Sequence, residues 1–276
     1  MYNYYGVSTL DKLIENIYMK IDDFHYDNLY LKKLAGYLEY IKKLYGNIPT
    51  VAATILMKEF NKKEVDEVSD KIARNFERTE RSRTKSKIYY LISIEYYNGY
   101  PILIVGEPDG LSFEDMKVKL YEIKTFNVAK FYKKFVSNVK DYILIIKVLE
   151  MIKMASDQLI LYQYLLEKTK NSHIIGEINK TNLYGVFYPY SDSIEYLWRA
   201  RKIIEQNLNI ITKYARKYNA YNLSLKDEGT ININNENIYY FKIDFRVNYN
   251  QKIVETYLKN LNELIKSLKL LDNRSL

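Results

Sequence analysis

Two residues in the middle of the chain combine charge with an apolar setting. Glu122 and Lys124 lie two positions apart in a strand-like run over residues 117–126, so an extended strand places both on one face. Val118, Leu120 and Phe126 share that face. A half-buried carboxylate or ammonium costs on the order of several kcal/mol unless it is paired or bound to an ion. The pattern therefore predicts either a structural Glu122–Lys124 ion pair or an ion site.

A second carboxylate, Asp109, follows Pro108 at the end of the preceding apolar run. Antiparallel pairing of the two runs can bring Asp109 beside Glu122, and two converging carboxylates repel unless a proton or a cation lies between them. Mg²⁺ typically takes one or two acidic ligands and keeps several waters. We therefore expect a Mg²⁺ or Mn²⁺ site, with Lys124 placed to stabilise the attacking water or a phosphate oxygen.

The elements before these residues follow from periodicity and turn residues. Helical patterns cover residues 10–21 and 28–45, a third helix is expected after Pro49, and a fourth over residues 63–81. Two β-rich runs then flank Asn98-Gly99, a dipeptide typical of a hairpin turn. We expect an antiparallel hairpin here, followed by a loop over residues 110–115 that leads to the strand of Glu122.

The rest of the chain alternates in the same way. A basic helical piece over residues 128–140 and an amphipathic helix over 142–168 come first, and strand-like residues follow at 173–190. Beyond Ser191 we expect a long helix to Arg216, a strand pair around 231–247 and a helix over 251–270. No linker or repeat divides the chain, so a single α/β domain spanning residues 1–276 is predicted.

Composition excludes several kinds of site. The 276 residues include no cysteine, which removes disulfides, thiolate metal sites and cysteine nucleophiles. His25 and His173 have no histidine partner at a ligand spacing, so zinc is not expected. No apolar run reaches the length of a membrane span and residues 1–12 lack a signal-peptide pattern, so we predict a cytoplasmic protein without membrane contact.

The spacing of the charged residues carries a family resemblance. Pro108-Asp109, twelve residues and Glu122-Ile123-Lys124 resemble the signature of the PD-(D/E)XK nuclease superfamily. Gly106, three residues before Asp109, resembles the glycine-aspartate pattern of its RecB-like branch. Gln158 and Tyr162 resemble that branch's Q-h-x-x-Y helix motif and share a helix face. The motifs are similar to those of the CRISPR-associated RecB-like exonucleases, without the cysteines that often bind an iron–sulfur cluster there.

The resemblance implies a fold and its boundaries. It implies a restriction-endonuclease-like core of helix, three antiparallel strands, helix and strand in a mixed sheet, over residues 63–189. Residues 1–60 would form a helical N-terminal addition, and residues 191–276 a C-terminal addition of helices and strands. Family members usually carry a histidine on the first core helix, but Ala73 stands at that place here. Glu77 matches the trailing acid, with Asp70 and Glu67 as alternatives.

The resemblance also implies roles for single residues. Asp109, Glu122, the Ile123 carbonyl and Glu77 would hold Mg²⁺ or Mn²⁺. Lys124 would position the attacking water, and Gln158 and Tyr162 would lie near the active site and the bound strand. A 5′-phosphate product is expected.

A basic stretch precedes the first strand, and the formal net charge of +8 suits a polyanionic partner. We expect its residues to contact phosphates, although a solvated connector is an equally ordinary reading. The residues concerned are Arg78, Arg81, Arg83 and Lys85.

Three interpretations stay open. The leading one is a metal-dependent nuclease that hydrolyses DNA phosphodiester bonds, and retention of Asp109, Glu122 and Lys124 favours it. The second is a non-catalytic nucleic-acid-binding protein that keeps the nuclease fold, and the third is a structural or partner-binding protein of a mobile element. DNA is the expected partner, whether single- or double-stranded, and self-association into a homo-oligomer is left open.

Overall fold

The structure, a computed structural model, describes residues 7–57, 67–114, 116–134, 140–171, 175, 177–233 and 235–272. Within these ranges the chain is an α/β protein with two mixed sheets. No helix in the described ranges has the length and apolar character needed to cross a membrane.

The first sheet has four strands in the order β1-β2-β4-β3. The expected hairpin is confirmed: β3 and β4 pair antiparallel, and Asn98 and Gly99 connect them with φ angles of 48° and 81°. A primed hairpin turn requires positive φ at both positions, which explains the Asn-Gly dipeptide. The strands are β1 (Val7–Thr9), β2 (Pro49–Ala52), β3 (Leu91–Tyr97) and β4 (Tyr100–Gly106).

The N-terminal segment belongs to this sheet. Helices α1 (Leu10–Lys20) and α2 (Asn28–Tyr45) form as expected, but the helix predicted after Pro49 is wrong. Strand β2 occupies that place, paired parallel with β4, and a short 3-10 helix over Ala53–Leu56 follows. Pairing with β4 buries Thr50 and Val51, so a long-range partner overrides the local helical pattern.

The second sheet has five strands in the order β5-β6-β7-β9-β8, with β6 and β7 parallel and the other neighbours antiparallel. The loop predicted over residues 110–115 is wrong, because residues 110–114 form β5 and pair with β6. The strands are β5 (Gly110–Glu114), β6 (Lys117–Asn127), β7 (Lys180–Ser191), β8 (Ala220–Ile233) and β9 (Glu236–Val247).

The strands expected to form one antiparallel set are therefore divided between two sheets. The chain bends at Glu107–Pro108–Asp109, between β4 of the first sheet and β5 of the second. Gly110 allows the bend to pack closely, because a Cβ there would lie 2.5 Å from the Ser86 hydroxyl oxygen. The predicted α/β class is confirmed. Asp109 lies at the point where the chain passes from the first sheet to the second.

Two helices cover the two faces of β6. Helix α3 lies against the face of Ile123, where its residues Ile72 and Phe76 are buried, while Val68 is exposed. Helix α5 packs on the opposite face and also contacts β3, so it touches both sheets. The helices are α3 (Glu67–Thr84), α4 (Val128–Lys134), α5 (Lys140–Asn171), α6 (Ile194–Gln206), α7 (Leu208–Ala215) and α8 (Gln251–Asp272).

Several predicted helix boundaries change. The start of the fourth helix, at residue 63, lies outside the described residues, and α3 continues to Thr84. Arg81 and Arg83 are thus helical rather than part of a connector. The single long helix expected after Ser191 is wrong, because α6 and α7 are separated at Asn207.

Candidate active site

The pairing of β5 with β6 places Asp109 next to Glu122. Gly110 lies opposite Tyr121, so the residue before Gly110 meets the residue after Tyr121. The Asp109 Oδ2 accepts a hydrogen bond of 2.6 Å from the Ile123 backbone N–H. This bond holds the carboxylate at the strand of the Glu-Ile-Lys triplet.

Glu122 and Lys124 form an ion pair on the α5 side of β6. The Lys124 ammonium donates to Glu122 Oε1, and the side chains are only 15% and 3% exposed for Lys124 and Glu122 respectively. The other carboxylate oxygen, Glu122 Oε2, is buried and has no hydrogen-bond partner among the described residues. A buried carboxylate oxygen without a partner is costly, so this position favours a proton or a cation.

The ionisable groups at this position have pKa values that are shifted from their ordinary values. Burial and, after it, the charge of Asp109 raise the pKa of Glu122 to about 8, against the opposing effect of Lys124. The pKa of Asp109 is also raised by burial, against the opposing effects of Lys124 and the Ile123 N–H. Burial tends to lower the pKa of Lys124, but the charges of Glu122 and Asp109 outweigh it and the pKa is raised. Added positive charge would stabilise the ionised carboxylates.

Helix α3 brings Glu77 to the same centre. Burial and the charge of Asp109 raise the pKa of Glu77 to about 7, while Arg81 and Lys124 oppose the shift. Arg81 Nη1 lies 3.7 Å from Glu77 Oε2 and donates a 3.0 Å hydrogen bond to the Asp109 carbonyl. Of the three acids considered on this helix, Glu77 is the one at the site: Asp70 pairs with Arg74 at 2.8 Å on the surface and Glu67 is exposed.

Tyr162 of α5 is close enough to the centre to feel its charges, Gln158 is hydrogen-bonded to Tyr162, and both side chains are buried. Burial raises the pKa of Tyr162, and the charges of Glu122 and Asp109 add to the shift. Gln158 Oε1 has no partner among the described residues. A Cβ on Gly106 would lie 2.6 Å from Leu165 Cδ1 and 2.8 Å from Tyr162 Cδ1, so the glycine lets α5 approach β4.

The four basic residues expected to bind nucleic acid do not form one surface. Arg81 is buried and turned toward Asp109. Arg83 makes a two-pronged ion pair with Glu80, with bonds of 2.8 and 2.9 Å. Arg78 and Lys85 are exposed. Arg83 and Lys85 line a groove at the C-terminal end of α3, whereas Arg81 belongs to the centre itself.

Sequence reasoning missed Glu107, two residues before Asp109, and the buried pair of Glu80 and Lys242. Glu107 accepts a 2.8 Å hydrogen bond from the Tyr26 hydroxyl, and burial raises the pKa of its carboxyl. Its place two residues before Asp109 was a usable signal. Glu80 and Lys242, each 1% exposed, form a 2.8 Å ion pair. Nothing in the sequence connects these two residues, which are 162 positions apart.

The described residues contain no group of three or more His, Asp or Glu side chains arranged to hold a metal ion. Asp109 and Glu122 lie side by side, and Mg²⁺ in proteins is commonly bound through one or two carboxylates with waters in the other positions. No protein-family model, no curated protein and no solved structure matches the chain at a significant level.

Proposed function

We propose that the protein is a metal-dependent nuclease that hydrolyses phosphodiester bonds of DNA. The observation that carries the proposal is the buried, unpartnered Glu122 Oε2 beside Asp109, with the Lys124 ammonium at the same carboxylate. An apolar environment, or a structural ion pair alone, leaves that oxygen without a partner. A hard divalent cation with its waters would satisfy it.

Each residue at the site would have a separate role in the reaction. Asp109 and Glu122 would hold Mg²⁺ or Mn²⁺, and Glu77 lies near enough to interact with their charges. When bound, the metal ion would activate water and neutralise phosphate charge. Lys124 would position the attacking water and stabilise charge on the phosphate. Arg81 would hold the Asp109 backbone in place through its hydrogen bond to the carbonyl.

A basic groove supports DNA as the partner. A cavity of about 580 Å³ lies at the C-terminal end of α3, the helix that also carries Glu77 and Arg81. Its lining includes Arg83, Lys85, Lys119 and Lys226 beside Glu114 and Asp244, and the rings of Tyr121 and Tyr184 stack at 5.3 Å. Three of these cations are paired, Arg83 with Glu80, Lys119 with Glu114 and Lys226 with Asp244, so the groove offers a phosphate backbone a small excess of positive charge at the exposed Lys85.

The alternative is a nucleic-acid-binding protein without turnover, and one experiment separates the two. End-labelled single- and double-stranded DNA is incubated with the wild type in Mg²⁺, Mn²⁺ or EDTA. The nuclease proposal expects metal-dependent cleavage that EDTA stops. Binding without cleavage in any metal would instead support the non-catalytic protein.

Lys124→Ala tests the assigned role, and Lys119→Ala is its matched control. Lys119 lies on the same strand but the opposite face, paired with the exposed Glu114. We expect Lys124→Ala to lose roughly 10²-fold or more in single-turnover rate, while Lys119→Ala keeps the rate of the bound complex. If Lys124→Ala lowered the melting temperature but cleaved normally, Lys124 would be only the structural partner of Glu122.

A further inference from the structure

A cavity of about 360 Å³ opens between the N-terminal segment and the end of β4. One side is formed by β1, α1, β2 and the 3-10 helix that follows, and the other by Tyr90, the end of β4, Glu107 and Tyr162. The volume lies in the range of small-molecule pockets. Of the described residues, neither Asp109 nor Glu122 lines it, so the cavity is separate from the candidate metal centre.

Glu107 supplies the charge of this cavity. Its side chain is exposed into the cavity, and the Tyr26 hydroxyl fixes it by donating a 2.8 Å hydrogen bond to Oε1. Within the described ranges of the chain, no other hydrogen bond and no ion pair is made by this carboxylate. Lys20 and Arg81, whose charges reach it, contact other groups: Lys20 lies 5.5 Å from the centre of the Tyr26 ring, and Arg81 donates to the Asp109 carbonyl. The carboxylate therefore has acceptor capacity left for a ligand.

The lining disfavours both an anion and a divalent metal ion. None of the described lining residues is Lys, Arg or His, so an anionic ligand would have no compensating charge. Glu107 is the one acid among them, and a divalent ion bound there would keep half of its charge uncompensated in a partly apolar cavity. A single carboxylate is balanced by a single monovalent cation.

The rest of the lining suits an ammonium group carried on a carbon chain. Tyr90 and Tyr162 are buried, and the charge of Glu107 acts on both phenols, so the two rings lie close to the carboxylate. Aromatic rings attract an organic cation. Aliphatic side chains of the N-terminal segment, Leu13 and Val51 among them, can pack against methylene groups.

We infer that this cavity binds a primary aliphatic amine, a small molecule whose ammonium group pairs with Glu107 and whose carbon chain packs against the aliphatic lining. The inference adds a ligand site to the protein and does not depend on the proposed nuclease activity. The N-terminal segment, which lies outside the nuclease-like motifs, would form one wall of that site.

Isothermal titration calorimetry of the full chain with 1-butylamine tests the site, at pH 7 in EDTA and at constant ionic strength. The amine is an ammonium ion at this pH, and 1-butanol is its uncharged counterpart of the same length. We expect butylamine to bind and 1-butanol to bind about ten-fold more weakly or less tightly still, because the alcohol cannot form the ion pair. No binding of the amine, or equal binding of the alcohol, would overturn the inference. The titration contains neither metal nor DNA, so its result stands whether or not the protein cleaves DNA.

Three variants locate the amine. Glu107→Gln should weaken butylamine binding about ten-fold and leave 1-butanol binding unchanged, because only the charge is removed. Glu236→Gln, an exposed glutamate at the start of β9, is the matched control and should bind the amine as the wild type does. Ala52→Leu adds volume to the lining and should weaken binding of both compounds. Unchanged affinity for butylamine in Glu107→Gln would refute the ion pair, and unchanged affinity in Ala52→Leu would place the amine outside the cavity.

Discussion

Replacing Glu122 with glutamine should stabilise the metal-free protein while it removes cleavage. Burial raises the folded pKa of Glu122 from an ordinary value of 4.5 to about 8. A folded carboxyl with a raised pKa holds its proton more tightly than the unfolded chain does. Its stability contribution is therefore present at low pH and is lost as pH rises from about 4.5 through about 8.

The size of the effect follows from that difference. At pH 7 the unfolded glutamate is ionised and the folded one is still protonated. The pH is then about 2.5 above the unfolded pKa of 4.5, and the free energy of unfolding is of order 3 kcal/mol lower than at low pH. For a chain of this size that corresponds to roughly 6–12 °C in melting temperature. Glutamine keeps the shape and an oxygen that can accept from Lys124, whose charge still interacts with Asp109. Because it does not titrate, Glu122→Gln should melt higher in EDTA at pH 7 and show a flatter pH profile.

Calorimetry from pH 5 to pH 8 in EDTA, and again in Mg²⁺, measures the effect. Mg²⁺ should raise the melting temperature of the wild type, since a ligand that binds the folded state stabilises it, and should not raise that of Glu122→Gln. Glu114→Gln is the matched control: its carboxylate is exposed, and Lys119 lowers its pKa, so its loss should not stabilise. Parallel pH profiles for wild type and Glu122→Gln in EDTA would refute the reasoning.

Three further variants test the packing and the groove. Gly106→Ala should lose about 1–3 kcal/mol of stability, because its Cβ would overlap Leu165 and Tyr162; an unchanged chemical-denaturation midpoint would contradict this. Lys85→Gly should gain about 1 kcal/mol of stability, because Lys85 has a left-handed φ of 52° after α3. The same variant should bind DNA more weakly and with a shallower salt dependence. Unchanged affinity would show that Lys85 is not part of the DNA-binding surface. Glu80→Gln should cost about 3–5 kcal/mol, because the buried Lys242 ammonium loses its carboxylate, and a variant as stable as the wild type would show that Asp244, 3.2 Å away, suffices.

Short-range signals in the sequence determined several parts of the structure. The β3–β4 hairpin follows from Asn98-Gly99, because the turn needs two residues that tolerate positive φ. The shared face of Glu122 and Lys124 follows from the two-residue period of a strand, and they form an ion pair there. Helices α1, α2 and α5 follow from apolar spacing. Each depends only on residues a few positions apart.

Tertiary structure alone decided the features that depend on distant partners. Strand β2 forms because β4 lies beside it, and β5 forms because it adds an edge strand to β6, although the local patterns of both segments favoured other structures. Glu77 rather than Asp70 reaches the centre because α3 turns that face toward Asp109. The pairing of Glu80 with Lys242 and the cavity beside Glu107 combine residues from remote parts of the chain. Strand pairing and charge burial depend on which segments contact each other in the fold, and the local periodicity of the sequence does not specify those contacts.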